Sequence, residues 1–467
     1  MSKRKKGKKS NSSKTAASMP AEIVKSAEEK TEAAEIVKAA EEKAEKTKGK
    51  AVSENGYKQL YLGFVKWFLI AAAVGAVVGV FGALFHHALD FATAFRKSHW
   101  YIMFGLPIAG LLIVFLYHIA GMADDRGTNA VIMEARGEKA VSLKLAPLIF
   151  AATFLTHLFG GSAGREGAAL QMGASLASPF GKLLKLDRHD CSVLAMCGMA
   201  AGFSALFGTP VASAVFAMEV TIVGVAQYTA IVPCMIASAT AAVVASAMGV
   251  SPTSFGTVIV PEFGAGAAFT LLKVILLGIL CAVVSIIFCE AMHLAGNVYK
   301  KYIKNPYLRV LAGGAIVIVL TLLLGTYDYN GAGADVIERA FGGEAFPAAF
   351  LIKLLLTAIT LGAGFKGGEI VPSFFVGSTF GCAVAPLLGL DPSFAAAVGL
   401  LSVFCGVTNC PLASIIIGVE LFGGEGVIYY AAAIGISYML SGYQGLYSEQ
   451  TFLKSKHKLT DYVASGK

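Results

Sequence analysis

The residues best placed to do chemistry are a few carboxylates set among glycines in otherwise apolar surroundings. In Gly160-Gly-Ser-Ala-Gly-Arg-Glu-Gly167, Glu166 heads the run Ala168-Ala-Leu-Gln-Met-Gly173. Glycines let a backbone turn tightly and let an ion approach it closely. A helix that starts there aims unpaired N–H groups and the positive end of its dipole at the loop. That is an anion site, and a carboxylate at its mouth competes with the anion. A capping glutamate in a first helical turn is the alternative, and membrane depth counts against it, because intramembrane carboxylates are costly. A second block, Gly362-Ala-Gly-Phe-Lys-Gly-Gly-Glu369-Ile-Val-Pro372, offers the same pieces. Glu369 is read either as a second carboxylate near an ion path or as a partner of Lys366. Gly127-Thr-Asn-Ala-Val131 offers Thr128 or Asn129 as a donor, and Gly445-Leu-Tyr447-Ser offers a hydroxyl late in the chain. Taken alone, these last two read as ordinary turn chemistry and an interfacial aromatic.

The elements that position these groups must be membrane helices. Of 467 residues, 56% are hydrophobic and 15% charged, against about 25% charged in an average soluble domain. Tyr101 to Ala120 holds no Asp, Glu, Lys or Arg, and Glu219 is the only such residue from Cys191 to Pro261. Roughly 20 apolar residues span a bilayer, so the longer run must contain several segments. Backbone groups facing lipid need internal partners, which makes the segments helical. Gly and Pro inside the apolar stretches predict broken helices among full spans.

The chain also repeats itself. Pro411-Leu-Ala-Ser414 with Glu420 follows Pro210-Val-Ala-Ser213 with Glu219 at a spacing of 201 residues. Gly364, Gly368 and Gly377 follow Gly160, Gly164 and Gly173 at a spacing of 204. Two matched blocks in the same order point to duplication, and inverted repeats place a site between the halves. Glu219 and Glu420, at matching positions, are expected to hold helix ends rather than move protons.

Residues 1–56 differ from the rest. Through Lys50 there are 14 Lys/Arg and 8 Glu, a net +6 of the chain's formal +8. This stretch is read as a disordered charged tail, without the apolar segment of a signal peptide. Beside a membrane domain over 57–456 it fits a cytoplasmic anchor to anionic lipid rather than a nucleic-acid arm. Basic residues at both ends, including the short tail 457–467, predict both termini in the cytoplasm and an even number of crossings. The eight cysteines form no CxxC pair and are read as small apolar residues. His86, His87, His118, His157 and His293 show no metal spacing and are read as satisfied membrane histidines. No phosphate-binding loop, nucleophile–base pair or cofactor motif appears, which speaks against an enzyme.

Together these blocks resemble the CLC family of anion channels and proton-coupled antiporters, in order over about 400 residues. Gly164-Arg-Glu-Gly167 is similar to the family's GREGP/GKEGP motif, with Ala168 in place of Pro. Gly367-Gly-Glu-Ile-Val-Pro372 stands where the family has GGIFAP, Gly127-Thr-Asn-Ala-Val131 where it has GSGIP, and Tyr447 where it has an inner-gate Tyr. The resemblance implies an all-α polytopic fold of two inverted repeats of broken, tilted helices. It implies a homodimer with one pore per subunit, in a bacterial plasma membrane. Glu166 becomes the gating, proton-carrying glutamate. Thr128 or Asn129, with Arg165, Gly167, Glu369, Ile370, Val371 and Tyr447, become the anion-binding set. Chloride-type antiporters carry an inner proton-transfer Glu where this chain has Val220. That loss, Glu369 and Ile370 make the chain resemble the bacterial fluoride/proton antiporter branch. Fluoride export against protons is therefore expected, with chloride exchange or a chloride channel as the alternative, and no cofactor. Deleting residues 1–50 is expected to leave anion flux within about twofold of the full chain, since the tail lies outside the duplicated unit. A folded truncation that has lost flux in liposomes contradicts this.

Overall fold

The computed structural model describes residues 54–264, 266–453 and 455–456. The charged tail expected over residues 1–56 lies outside them, except that Glu54 already opens the first helix. The tail 457–467 lies outside them entirely.

Among the described residues, sixteen α-helices fall into two sets of eight. The first set is α1 (Glu54–Ser98), α2 (Leu106–Ile119), α3 (Thr128–Ala135), α4 (Leu145–Leu158), α5 (Glu166–Leu183), α6 (Arg188–Phe207), α7 (Pro210–Glu219) and α8 (Ile231–Ala247). The second is α9 (Ala267–Tyr302), α10 (Pro306–Leu324), α11 (Ala334–Phe341), α12 (Ala349–Ala363), α13 (Ile370–Leu388), α14 (Pro392–Thr408), α15 (Pro411–Phe422) and α16 (Val427–Leu440). Each helix has its counterpart eight places on, as the duplicated sequence blocks require. Among the described residues, seven helical segments are long and apolar enough to cross a membrane, while α4, α7, α12, α14, α15 and α16 are shorter apolar pieces. The fold is thus an all-α membrane architecture of full and broken helices. Its outer faces carry exposed apolar side chains such as Phe269, Leu272, Val319 and Leu323, where lipid takes the place of a protein core.

The same two contacts recur in both halves. Helix α5 crosses α6 at Gly173 and Gly198, and α13 crosses α14 at Gly377 and Gly399. A Cβ on Gly173 would lie 2.0 Å from the Gly198 carbonyl oxygen, and one on Gly377 would lie 2.4 Å from that of Gly399. Only glycine permits backbones this close, the small-residue packing by which membrane helices associate.

Glu219 and Glu420 join the halves. The Glu219 carboxylate accepts the N–H groups of Leu412 and Ala413 at 3.1 and 2.9 Å, at the start of α15. Glu420 accepts those of Val211 and Ala212 at 3.0 and 2.8 Å, at the start of α7. Each acid, at or near the end of its own helix, caps the other repeat's helix. The exchange satisfies four amides that have no intrahelical partner and places negative charge at positive dipole ends. Replacing either glutamate by alanine should lower the unfolding free energy by about 1–2 kcal/mol, the usual cost of a lost cap. Thermal unfolding in detergent reads it. An unshifted midpoint in both variants would show that these caps carry no stability.

Candidate functional site

The two glycine-rich blocks meet directly. Gly164 N–H donates to the Gly368 carbonyl at 2.7 Å, and Gly368 N–H donates back to Gly164 at 2.8 Å, an isolated antiparallel bridge. Immediately beyond it, α5 starts at Glu166 and α13 at Ile370, and neither helix has a side-chain cap at its first amides. The approach is close because two positions lack a Cβ. One built on Gly368 would lie 2.6 Å from the Gly167 nitrogen. One on Gly167 would lie 3.1 Å from Glu369 Oε2 and 3.6 Å from Thr128 Oγ1. Two helix N-termini therefore converge, with a carboxylate and a hydroxyl oxygen facing the Gly167 Cα. That is the geometry of an anion cradle with an acid built into its wall.

Glu166 is 1% exposed. Its Oε2 accepts the Arg165 N–H at 3.0 Å, and its Oε1 lies 3.5 Å from Arg165 Nε. Glu369 Oε2 is buried without a hydrogen-bond partner, and so is the Tyr447 hydroxyl. Ile370 and Val371 are buried, as the first residues of α13.

Neighbours in the sequence part company here. Thr128 Oγ1 accepts from Gln171 Nε2 at 3.2 Å, which leaves its own hydrogen available to an anion beside Gly167. Asn129 Oδ1 instead accepts the Glu449 N–H at 3.1 Å. Thr128 is thus the hydroxyl at the cradle, and Asn129 anchors the segment that carries Tyr447. Arg136 reinforces the anchor through the Glu449 carbonyl and Thr451 Oγ1. The parallel pairing of Ile222–Val223 with Thr451–Phe452 does so as well. The Val220 carbonyl accepts from Gln450 Nε2 at 2.9 Å, so that position, which has no carboxylate, also serves the anchor.

Arg165 does not reach the cradle. Its side chain turns into a cavity of about 600 Å³ on the far side of Glu166, where Nη1 lies 3.3 Å from Asp90 Oδ1. Val371 lines the same cavity. Lys366 pairs with Asp125 at 2.9 Å rather than with Glu369. Gln171 escaped the sequence reading, since one amide in Ala168–Gly173 is easily absorbed into an apolar run. Its burial at 3% exposure with Oε1 unpartnered marks it as part of the site. His157 is not the satisfied histidine expected, because its Nε2 is buried with no partner.

Comparison with known proteins identifies the family and the fold. Residues 109–442 match the voltage-gated chloride channel family. The chain is 37% identical over 399 residues to a chloride/fluoride channel protein of Pseudomonas syringae pv. tomato, covering 84% of this chain and 88% of that one. It is 25% identical over 385 residues to the H(+)/Cl(-) exchange transporter ClcA of Vibrio cholerae, covering 75% and 81%. In three dimensions it superposes on a CLC-type fluoride/proton antiporter with a TM-score of 0.80 and 33% identity, over 84% of this chain and 99% of that one. A slow cyanobacterial Cl-/H+ antiporter shares the fold, with a TM-score of 0.69 at 20% identity over 80% and 94%.

Thr128→Val keeps the shape of the side chain and removes the hydroxyl, so anion affinity at the cradle should fall about tenfold, one hydrogen bond to a charged group. Calorimetric titration with fluoride measures it. Unchanged affinity would remove Thr128 from the site.

Proposed function

The chain belongs to the CLC (voltage-gated chloride channel) family, and on that footing we propose that it exchanges fluoride for protons, exporting fluoride from the cytoplasm. The observation that carries the reading is Glu369 Oε2, a buried carboxylate oxygen without a partner beside Gly167 and Thr128. A small, strongly hydrated anion needs dense hydrogen-bond donors in exchange for its water. The first amides of α5 and α13 and the Thr128 hydroxyl supply donors without charge. Carrying a proton, Glu369 becomes another, in a short charge-assisted bond that suits fluoride better than a larger halide.

We orient the molecule by α1. At 45 residues it is about 67 Å long, more than twice the hydrocarbon thickness, so its ends lie on opposite sides. It starts next to the basic stretch, which favours the cytoplasm. Its other end lines the cavity beside Arg165 and Glu166, which puts that cavity outside. The path then runs from Tyr447 at the inner end, past Thr128 and Glu369, to Glu166 and the outer cavity. As a carboxylate beside the helix ends, Glu166 excludes the anion. Protonated from outside, it gives up its claim to them and the ion passes. One group on which proton and anion both act couples their movements.

The protein in this reading is a homodimer with a pore in each subunit. Both termini are cytoplasmic in a plasma membrane, and no bond is made or broken in a substrate. Chloride exchange by the same fold is the competing reading. Val220 in the place of an inner glutamate and Glu369 at the cradle both favour fluoride.

Purified protein in liposomes tests this. Fluoride efflux should exceed chloride efflux by at least tenfold and should drive proton movement. Glu166→Gln should abolish the proton movement while the protein remains folded, because the amide cannot take up and release a proton. Glu219→Gln should retain most of it, as expected of a cap. Equal chloride flux overturns the selectivity, and proton pumping by Glu166→Gln near the wild-type rate overturns the gate.

A further inference from the structure

Beyond the cradle, one wall of the outer cavity holds a buried cation that no carboxylate pairs directly. The cavity lining includes the cations Arg96, Lys97 and Arg165 and the carboxylates Asp90, Glu166, Asp328 and Asp335. Each carboxylate has a cation within 4 Å, although Arg165 is shared by two of them. Arg165 serves Asp90 and Glu166 at 3.3 and 3.5 Å, Lys97 serves Asp335, and Arg339 serves Asp328 at 2.7 Å. Of the lining cations, Arg96 alone has no carboxylate in ion-pair range among the described residues, and Asp335 acts on it from farther off.

Arg96 is 7% exposed and makes one hydrogen bond, from Nη1 to the His157 carbonyl at 3.1 Å. A guanidinium has five N–H donors, so most of its capacity is unused. The guanidinium lies against the backbone of Gly331, where a Cβ would come within 2.8 Å of Nη1. Behind the same loop, Lys353 is fully buried and donates to the carbonyls of Tyr329 and Gly331 at 3.1 and 2.5 Å, again with no carboxylate partner. Arg96 on the cavity wall and Lys353 behind it are therefore buried without an ion-pair partner among the described residues, and Asp335 acts on Arg96 only from longer range, an arrangement that a small anion beside Arg96 would relieve.

The His157 ring adds a second, independent sign. It is 2% exposed and lines the cavity. Its Nδ1 lies 2.9 Å from the Thr153 carbonyl, which can only accept, so Nδ1 carries the hydrogen. In the neutral ring Nε2 is then an acceptor, and it has no partner. A bare anion would be a poor neighbour for an acceptor. An anion that keeps part of its water is a good one, since a bound water donates one hydrogen to the ion and the other to Nε2.

We propose that this wall is a separate anion-binding site, in which a small, partly hydrated inorganic anion is held by the Arg96 guanidinium and by a water bridging to His157 Nε2. It stands apart from the Thr128–Glu369 cradle, across Glu166. Asn330, fixed by its hydrogen bond to the Gly160 carbonyl at 2.7 Å, frames the site. Its place as a halt for the exported ion rests on the fluoride/proton reading; the binding itself does not.

Bromide is the probe, because its anomalous scattering locates it irrespective of which ion is transported or whether protons move with it. Crystals of the full-length protein soaked in bromide should show a peak within hydrogen-bond reach of Arg96 in the wild type. Arg96→Lys should keep a weaker peak, and Arg96→Gln should lose it while any peak at the cradle persists. The absence of the Arg96 peak in the wild type overturns the proposal whether or not the variants fold. An undiminished peak in Arg96→Gln overturns it as well. Loss of the cradle peak alone would instead count against the reading of the transport site.

Discussion

Two main-chain hydrogen bonds between Gly164 and Gly368 hold the functional architecture together. They are reciprocal, as a two-fold relation between the repeats demands. They fix the distance between two helix starts that electrostatics alone would keep apart, since each presents the positive end of a dipole. Bringing them together is unfavourable until negative charge arrives between them. Glu166 and Glu369 stand nearest to supply that charge, and in the proposed transport cycle a permeant anion competes with them. The crossed caps of Glu219 and Glu420 solve the same problem elsewhere on the two-fold relation with permanent partners. One pair of helix ends is neutralised for good, and the other is left for traffic.

The difference between these two pairs lies in chain geometry. Glu219 and Glu420 stand at or near the ends of their helices and reach across to the opposite repeat. Glu166 opens its own helix, and its carboxylate reaches back only to the amide and side chain of Arg165. A carboxylate held by one neighbouring amide is easier to displace than one held by two amides of another helix. Stability and function are thereby assigned to different glutamates by where each stands in its helix.

Much of this is legible in the sequence, because duplication writes symmetry as spacing. The matched Gly blocks reveal the two helix starts, and the matched Pro-x-Ala-Ser and Glu positions reveal the caps. Glu166, Gly167, Glu369 and Ile370 lie together at the two adjoining helix starts. What spacing does not reveal is the direction in which a side chain points. Thr128 and Asn129 are equivalent in a string, yet one faces the cradle and the other faces Glu449. Arg165 sits inside the strongest motif and still turns outward to Asp90. Gln171 hides in an apolar run. Arg96, His157 and Lys353 come from three helices and acquire meaning only through an unpaired charge and an unpartnered nitrogen, which are tertiary properties.

The anchoring of the late segment on α3 ties two parts of the path to one short helix. Asn129 holds the strand-like stretch after Tyr447, and Thr128, its neighbour, presents a hydroxyl to the ion. Any swing of the tyrosine that pulls on Glu449 also pulls on the first turn of α3. The stretch after Tyr447 and the hydroxyl beside Gly167 then share one mechanical coordinate, so a shift in either is felt by the other. A mutation in this turn would therefore disturb both places at once.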